Sequence, residues 1–159
     1  MKQVQWFKQV FIQYEGTLIR YTKKLVWDEQ VSKDIVQECF TKLWQQKMEQ
    51  VKNRIPPWLY IVCRNQAIDH LRKQKKMVNE NEDIFKVDGG QESTLEKMEI
   101  FREIVKLSAR HQEALVLKFQ EGMSYREISA VMNVSESHVG LLIHEGIKTL
   151  RVKMGGQNE

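Results

Sequence analysis

Gln120-Glu121-Gly122-Met123-Ser124-Tyr125-Arg126-Glu127-Ile128-Ser129-Ala130-Val131-Met132-Asn133-Val134-Ser135-Glu136-Ser137-His138-Val139 is the stretch whose reading decides the fold of this chain. Upstream of it, Arg110–Gln120 reads as a helix with Ala114, Leu115, Leu117 and Phe119 as its apolar residues. Glu121-Gly122-Met123 stops that helix, with Gly122 suited to a left-handed cap. Ser124 and Glu127 have the spacing of a capping box, a hydroxyl at the N-cap and a carboxylate three residues on. The short helix Tyr125–Met132 then ends at Asn133, which tolerates the left-handed turn better than most residues. Ser135 caps a last helix carrying Val139, Leu142, Ile143, Ile147 and Leu150. A short helix, a tight turn and a longer helix make a helix-turn-helix, whose second helix enters a DNA major groove N-terminal end first. A plain helical hairpin without DNA has the same pattern.

Working outward, residues 2–26 carry Trp6, Phe7, Val10, Phe11, Tyr14, Leu18, Tyr21 and Leu25 at helical spacing. A break near Trp27-Asp28-Glu29-Gln30 precedes a second helix, predicted over about 31–47 with Ser32 as N-cap. Its core stripe is Val36, Phe40, Leu43 and Trp44, with Ile35 and Cys39 beside it; Asp34, Gln37, Glu38 and Lys42 point more outward. Residues 48–57 read as a polar connection ending in Pro56-Pro57, which opens a helix over about 57–75. At 100° per residue, Tyr60, Cys63, Ala67 and Leu71 share one face of that helix. Trp58, Asn65, Asp69, Arg72 and Lys76 lie roughly opposite. An indole, an amide and cations suit bases and phosphates, although an ordinary solvated basic helix looks the same in isolation.

Residues 77–95 contain Asn79-Glu80-Asn81-Glu82-Asp83 and Gly89-Gly90-Gln91, the composition of a flexible linker, with Ile84, Phe85 and Val87 as apolar exceptions that could dock transiently. A helical pattern resumes over about 94–107. No strand alternation and no internal repeat is present. The expected architecture is all-α, with two small helical domains at 1–76 and 96–154, an acidic linker at 77–95 and a disordered tail at 155–159. The net charge of +4 is unevenly spread: residues 1–76 carry +8, residues 77–96 carry −5 and residues 97–159 carry +1. A concentrated basic unit points to a polyanion partner. No apolar run approaches the roughly 20 residues that span a bilayer, and the N-terminus lacks signal-peptide features, so a cytoplasmic location without membrane insertion is expected. Cys39 and Cys63 sit in apolar patterns and read as buried thiols. No metal site, cofactor or catalytic constellation is expected: there is no CxxC, no Gly-rich phosphate loop and no nucleophile–base spacing.

Three stretches resemble the sigma factors of bacterial RNA polymerase, in the extracytoplasmic-function (ECF) group of the sigma-70 family. Asp34-Ile35-Val36-Gln37-Glu38-Cys39-Phe40-Thr41-Lys42-Leu43-Trp44 is similar to the segment of sigma region 2 that docks on the polymerase clamp. Trp58 to Lys73 is similar to the segment that recognises and melts the downstream promoter element. Gln120 to Arg151 is similar to the region 4 helix-turn-helix that reads the upstream element. They occur in family order and span nearly the whole chain.

The resemblance implies a promoter-specificity subunit with no catalytic activity, acting through core RNA polymerase (clamp and flap), promoter DNA and an anti-sigma factor. It assigns polymerase docking to Asp34, Gln37, Glu38 and Lys42. It puts Asn65 against an extruded base, as an amide that both donates and accepts, with Trp58 and Asp69 beside it. Arg64, Arg72, Lys73, Lys75 and Lys76 would neutralise phosphates, and residues 48–57 would wall the base pocket. In region 4 the family often places basic residues just after the position of Val139, where this chain has Gly140-Leu141-Leu142. The readers left are Arg126, Ser135, Ser137, His138, His144 and Lys148, with Leu141 available to a thymine methyl. An ordinary helix-turn-helix regulator, which would bind duplex DNA without polymerase, and a helical adaptor without DNA contacts are the competing readings.

Overall fold

The computed structural model describes residues 2–74, 84–87 and 95–153. Among them every regular element is helical: α1 (Lys2–Val26), α2 (Glu29–Trp44), α3 (Met48–Val51), α4 (Pro57–Lys73), α5 (Leu95–Ile104), α6 (Ala109–Leu115), α7 (Tyr125–Met132) and α8 (Glu136–Lys153). The chain divides into two compact units, Met1–Glu80 and Asn81–Glu159. No helix among the described residues is long and apolar enough to cross a membrane. Expectations for Lys75, Lys76, most of 77–95 and the tail at 155–159 lie outside the described residues.

In the first unit α1, α2 and α4 pack on one another. Leu18, Tyr21, Leu43, Leu59, Tyr60, Cys63 and Ala67 meet at its centre, all essentially inaccessible to solvent. Each fully buried aliphatic or aromatic side chain contributes roughly 1.5–3 kcal/mol. The rings of Tyr21 and Tyr60 meet edge-on at 5.0 Å, joining α1 to α4. α1 ends because Trp27 turns the chain at φ 55. Asp28 then caps α2 from an extended conformation, accepting the Val31 N–H at 3.0 Å. The predicted cap, Ser32, instead lies inside the first turn, fully buried, its hydroxyl donating to the Asp28 carbonyl at 2.8 Å. Trp44 is a second correction. It is the last residue of α2 and 48% exposed, because the helix stops there and no described residue covers its outer side. The connection at 48–57 is more ordered than its polarity suggested: α3 and a 3₁₀ turn, Lys52–Arg54, are anchored by the fully buried Val51, and the Ile55–Pro56 peptide is cis.

In the second unit α6, α7 and α8 enclose Leu117, Met123, Ile128, Val131, Met132, Val139, Leu142 and Ile143. The predicted caps are present. Glu127 N–H donates to Ser124 Oγ at 3.1 Å and Ser124 N–H to Glu127 Oε1 at 2.9 Å. Gly122 and Asn133 adopt φ 69 and φ 59, and Ser135 Oγ accepts the His138 N–H at 3.1 Å. The helix before the turn departs from expectation. After Leu115 it widens into a π-helical turn, Val116–Gln120. In α register Phe119 would follow Leu115 onto the buried face; the widened turn rotates it outward, to 61% exposure.

Candidate polymerase and nucleic-acid interfaces

On α2 the row Asp34, Gln37, Glu38 and Lys42 is exposed, because Ile35, Val36, Cys39, Phe40 and Leu43 take the opposite side into the core. Gln30 steadies Asp34 with an amide hydrogen bond of 3.0 Å. At the start of the helix Glu29 pairs with Lys23 at 3.3 Å and Lys33 at 3.5 Å. The Lys23 hydrogen bond and charge, then those of Lys33, hold its carboxyl below the usual range. Beside this row runs a groove of about 710 Å³ between α1 and α2. Its walls are aromatic: Phe7 meets Trp44 edge-on at 5.1 Å, and Phe11 meets Phe40 at 4.9 Å. Sequence reading placed these rings in the core and missed the groove. The signal was present as two i,i+4 aromatic pairs, Phe7/Phe11 and Phe40/Trp44, on consecutive helices.

On α4 the predicted division of faces holds for Tyr60, Cys63, Ala67 and Leu71, all buried, and for Asn65, Asp69 and Arg72, all exposed. Trp58 is half-buried in the first turn. The spacing 58, 65, 69, 72 keeps these four side chains on one stripe. Lys73 is exposed and paired with Asp69 at 3.2 Å, which offsets the one carboxylate on the stripe. Arg64 departs from expectation: it is only 5% exposed. It lies four residues after Tyr60 and four before Ile68, both buried, so helical geometry turns it into the packing and away from phosphates. Cys39 and Cys63 are free thiols in the core. Hydrogen bonding to Cys39, then burial, pushes the Cys63 thiol well above its ordinary value.

In the second unit, Ser137, Leu141, His144 and Lys148 are exposed on one stripe of α8, and Arg126 is exposed on α7. Ser135 is exposed but its hydroxyl is used by the cap. His138 is half-buried, its Nε2 lying 3.3 Å from an Arg110 guanidinium nitrogen. The space beside Gly140 is occupied: a Cβ there would stand 3.4 Å from the Tyr125 ring. The Lys118 ammonium sits 5.3 Å from the centre of that ring. Lys118 and Tyr125 thus bring a cation and an aromatic edge to the segment that lacks basic residues, a contact across elements that spacing along α8 does not reveal. Among the described residues no group of three His, Cys, Asp or Glu side chains could hold a metal ion.

The arrangement has relatives. The Sigma-70 region 2 family model matches residues 10–77, and the Sigma-70 region 4 model matches residues 97–150. The ECF RNA polymerase sigma factor SigM of Bacillus subtilis is 27% identical over 137 residues, covering 82% of this chain and 83% of the relative. SigV of the same organism is 29% identical over 124 residues, covering 76% and 74%. The sigma factor RpoE of Bartonella quintana, solved in complex with the anti-sigma factor NepR, shares the fold with a TM-score of 0.65 at 19% identity, over 96% of this chain and 98% of that one. With both models in order along most of its length, the chain belongs to the sigma-70 family, in its ECF group, as an RNA polymerase-binding factor for transcription initiation.

Proposed function

We propose that the two units divide the work of initiation, with melted DNA captured by α4. The observation that carries this reading is the α4 stripe. An exposed Asn65 amide lies between half-buried Trp58 and exposed Arg72, on a helix whose other face is core. Unstacking a base costs a few kcal/mol, recovered by hydrogen bonds to its edge and stacking on an aromatic face. Asn65 supplies the donor and acceptor, Trp58 the aromatic surface, and Arg72, Lys73, Lys75 and Lys76 the phosphate neutralisation. Arg64 acts from within the packing and holds α4 in place. Asp34, Gln37, Glu38 and Lys42 dock the polymerase clamp. Arg126, Ser137, Leu141, His144 and Lys148, joined by Lys118, face the upstream duplex, and the second unit meets the flap. The factor works in the cytoplasm with no catalytic step of its own, and an anti-sigma protein covers it when initiation is not required. The test is run-off transcription with purified core polymerase on genomic DNA fragments from the source organism. Initiation that depends on adding this chain supports the reading; tight duplex binding without core and no initiation with it would favour an ordinary helix-turn-helix regulator.

A further inference from the structure

The stretch expected to be a flexible linker contains an ordered strap. Residues 84–87 are extended, with Phe85 and Val87 only 1% and 5% exposed. The Val87 N–H donates to Gln112 Oε1 at 2.8 Å in a buried bond. The Gln112 side-chain nitrogen donates to the carbonyls of Leu107 at 2.8 Å and Val105 at 3.3 Å. Three of the four hydrogen bonds that one buried amide can make therefore join the strap to the turn between α5 and α6. Phe85 and Val87 lie along a cleft of about 270 Å³ shared with Val105, Leu107 and Ala109.

We infer that this strap is a latch that sets the length of the tether between the two units. Whatever path residues 75–83 take, the ten residue steps from Gln74 to Ile84 span at most about 35 Å. With the strap undocked the tether runs from Gln74 to Leu95, and its limit rises to about 70 Å. One turn of duplex DNA is about 34–36 Å. Latched, the anchor points can separate by about one helical turn; released, by about two. The longer reach widens the spacing between a melted segment and an upstream duplex segment that one chain can touch together. The hold is non-covalent, and the cleft beside Phe85 and Val87 keeps unfilled space, so binding to core polymerase can release it. That release step rests on the sigma-factor reading; the latch in the free chain does not.

Amide hydrogen exchange on the full chain tests both parts. In the free protein Val87 should exchange at least about tenfold more slowly than an unstructured amide; exchange at the unstructured rate overturns the latch. Spin labels at Gln13→Cys and Ala130→Cys, with the buried native thiols unlabelled, should give a wider, longer distance distribution when Phe85→Ser and Val87→Ser are added. Superimposable distributions would also overturn it. Core polymerase is then added and co-elution followed separately. Loss of Val87 protection in the complex supports release, and retained protection in a formed complex refutes it. If no complex forms, the sigma-factor reading fails and the free-chain latch stands on its own result.

Discussion

Gly140 and Gly146 lie on the same helix and carry opposite predictions. Alanine in place of glycine in a helix interior gains about 1 kcal/mol from backbone entropy. At Gly140 the new Cβ would stand 3.4 Å from the Tyr125 ring, an ordinary contact. Gly140→Ala should therefore stabilise the second unit by about 0.5–1 kcal/mol. At Gly146 it would stand 3.0 Å from a Leu115 methyl carbon, with two more Leu115 atoms within 3.4 Å. Overpacking costs about 1–3 kcal/mol and outweighs the gain, so Gly146→Ala should destabilise by about 1 kcal/mol. Urea melts of the two variants check both signs. Cys63 gives a pH prediction. Its folded thiol titrates well above the ordinary value of 9.0. Below pH 9 the folded and unfolded thiols are both protonated and the contribution is complete; above it the unfolded chain ionises first and stability is lost. The loss should steepen through pH 9 toward a limit of about 1.4 kcal/mol per pH unit. Unfolding measured from pH 8 to 10 should show this decline in the wild type and a shallower one in Cys63→Ala.

Among the elements, α2 separates what the sequence makes legible from what it hides. Its inward and outward faces follow from period alone. Its start does not, because Asp28 and Ser32 are both good capping residues and one helical turn apart. The choice falls to Trp27, whose positive φ stops α1 where Asp28 can reach the Val31 N–H. Asp28→Ala should cost about 1 kcal/mol. Ser32→Ala should cost less, about 0.5 kcal/mol for the lost hydroxyl hydrogen bond, since the Asp28 carbonyl keeps the Ser32 backbone N–H at 3.0 Å. Thermal unfolding of the two variants decides between the caps. The helix-turn-helix was legible almost to the residue because Gly122, Ser124, Asn133 and Ser135 each fix one local geometry. Arg64 and Phe119 were not. Arg64 belongs by charge to the basic end of α4 and by angle to its packed face, and angle wins. Phe119 depends on a π-helical turn that widens the spiral by one residue, which no local preference announces. Ile84, Phe85 and Val87 stood out in the sequence as apolar residues able to dock, but their partner did not, because Gln112 lies 25 residues beyond Val87.

For the whole molecule, the same physics that builds each core sorts the candidate binding faces. In the first unit, burial of Tyr60, Cys63 and Ala67 turns Asn65 and Arg72 outward, and burial of Val36 and Phe40 exposes Gln37 and Glu38. The second unit owes its outward stripe to the burial of Val139, Leu142 and Ile143. The candidate site was therefore legible wherever face followed from period, and illegible where contacts crossed between elements, as at Lys118, Tyr125 and the α1–α2 groove. The central claim is that α4 captures melted DNA without serving as the polymerase dock. It is tested most directly by the fluorescence of an unstacking base analogue placed in the downstream element of a cognate promoter, read with core polymerase and either wild type or Asn65→Ala. The two proteins should co-elute equally with core, and open complex should fall about tenfold or more in the variant, the loss of one good base contact at about 1–3 kcal/mol. Equal fluorescence at equal polymerase binding would contradict it.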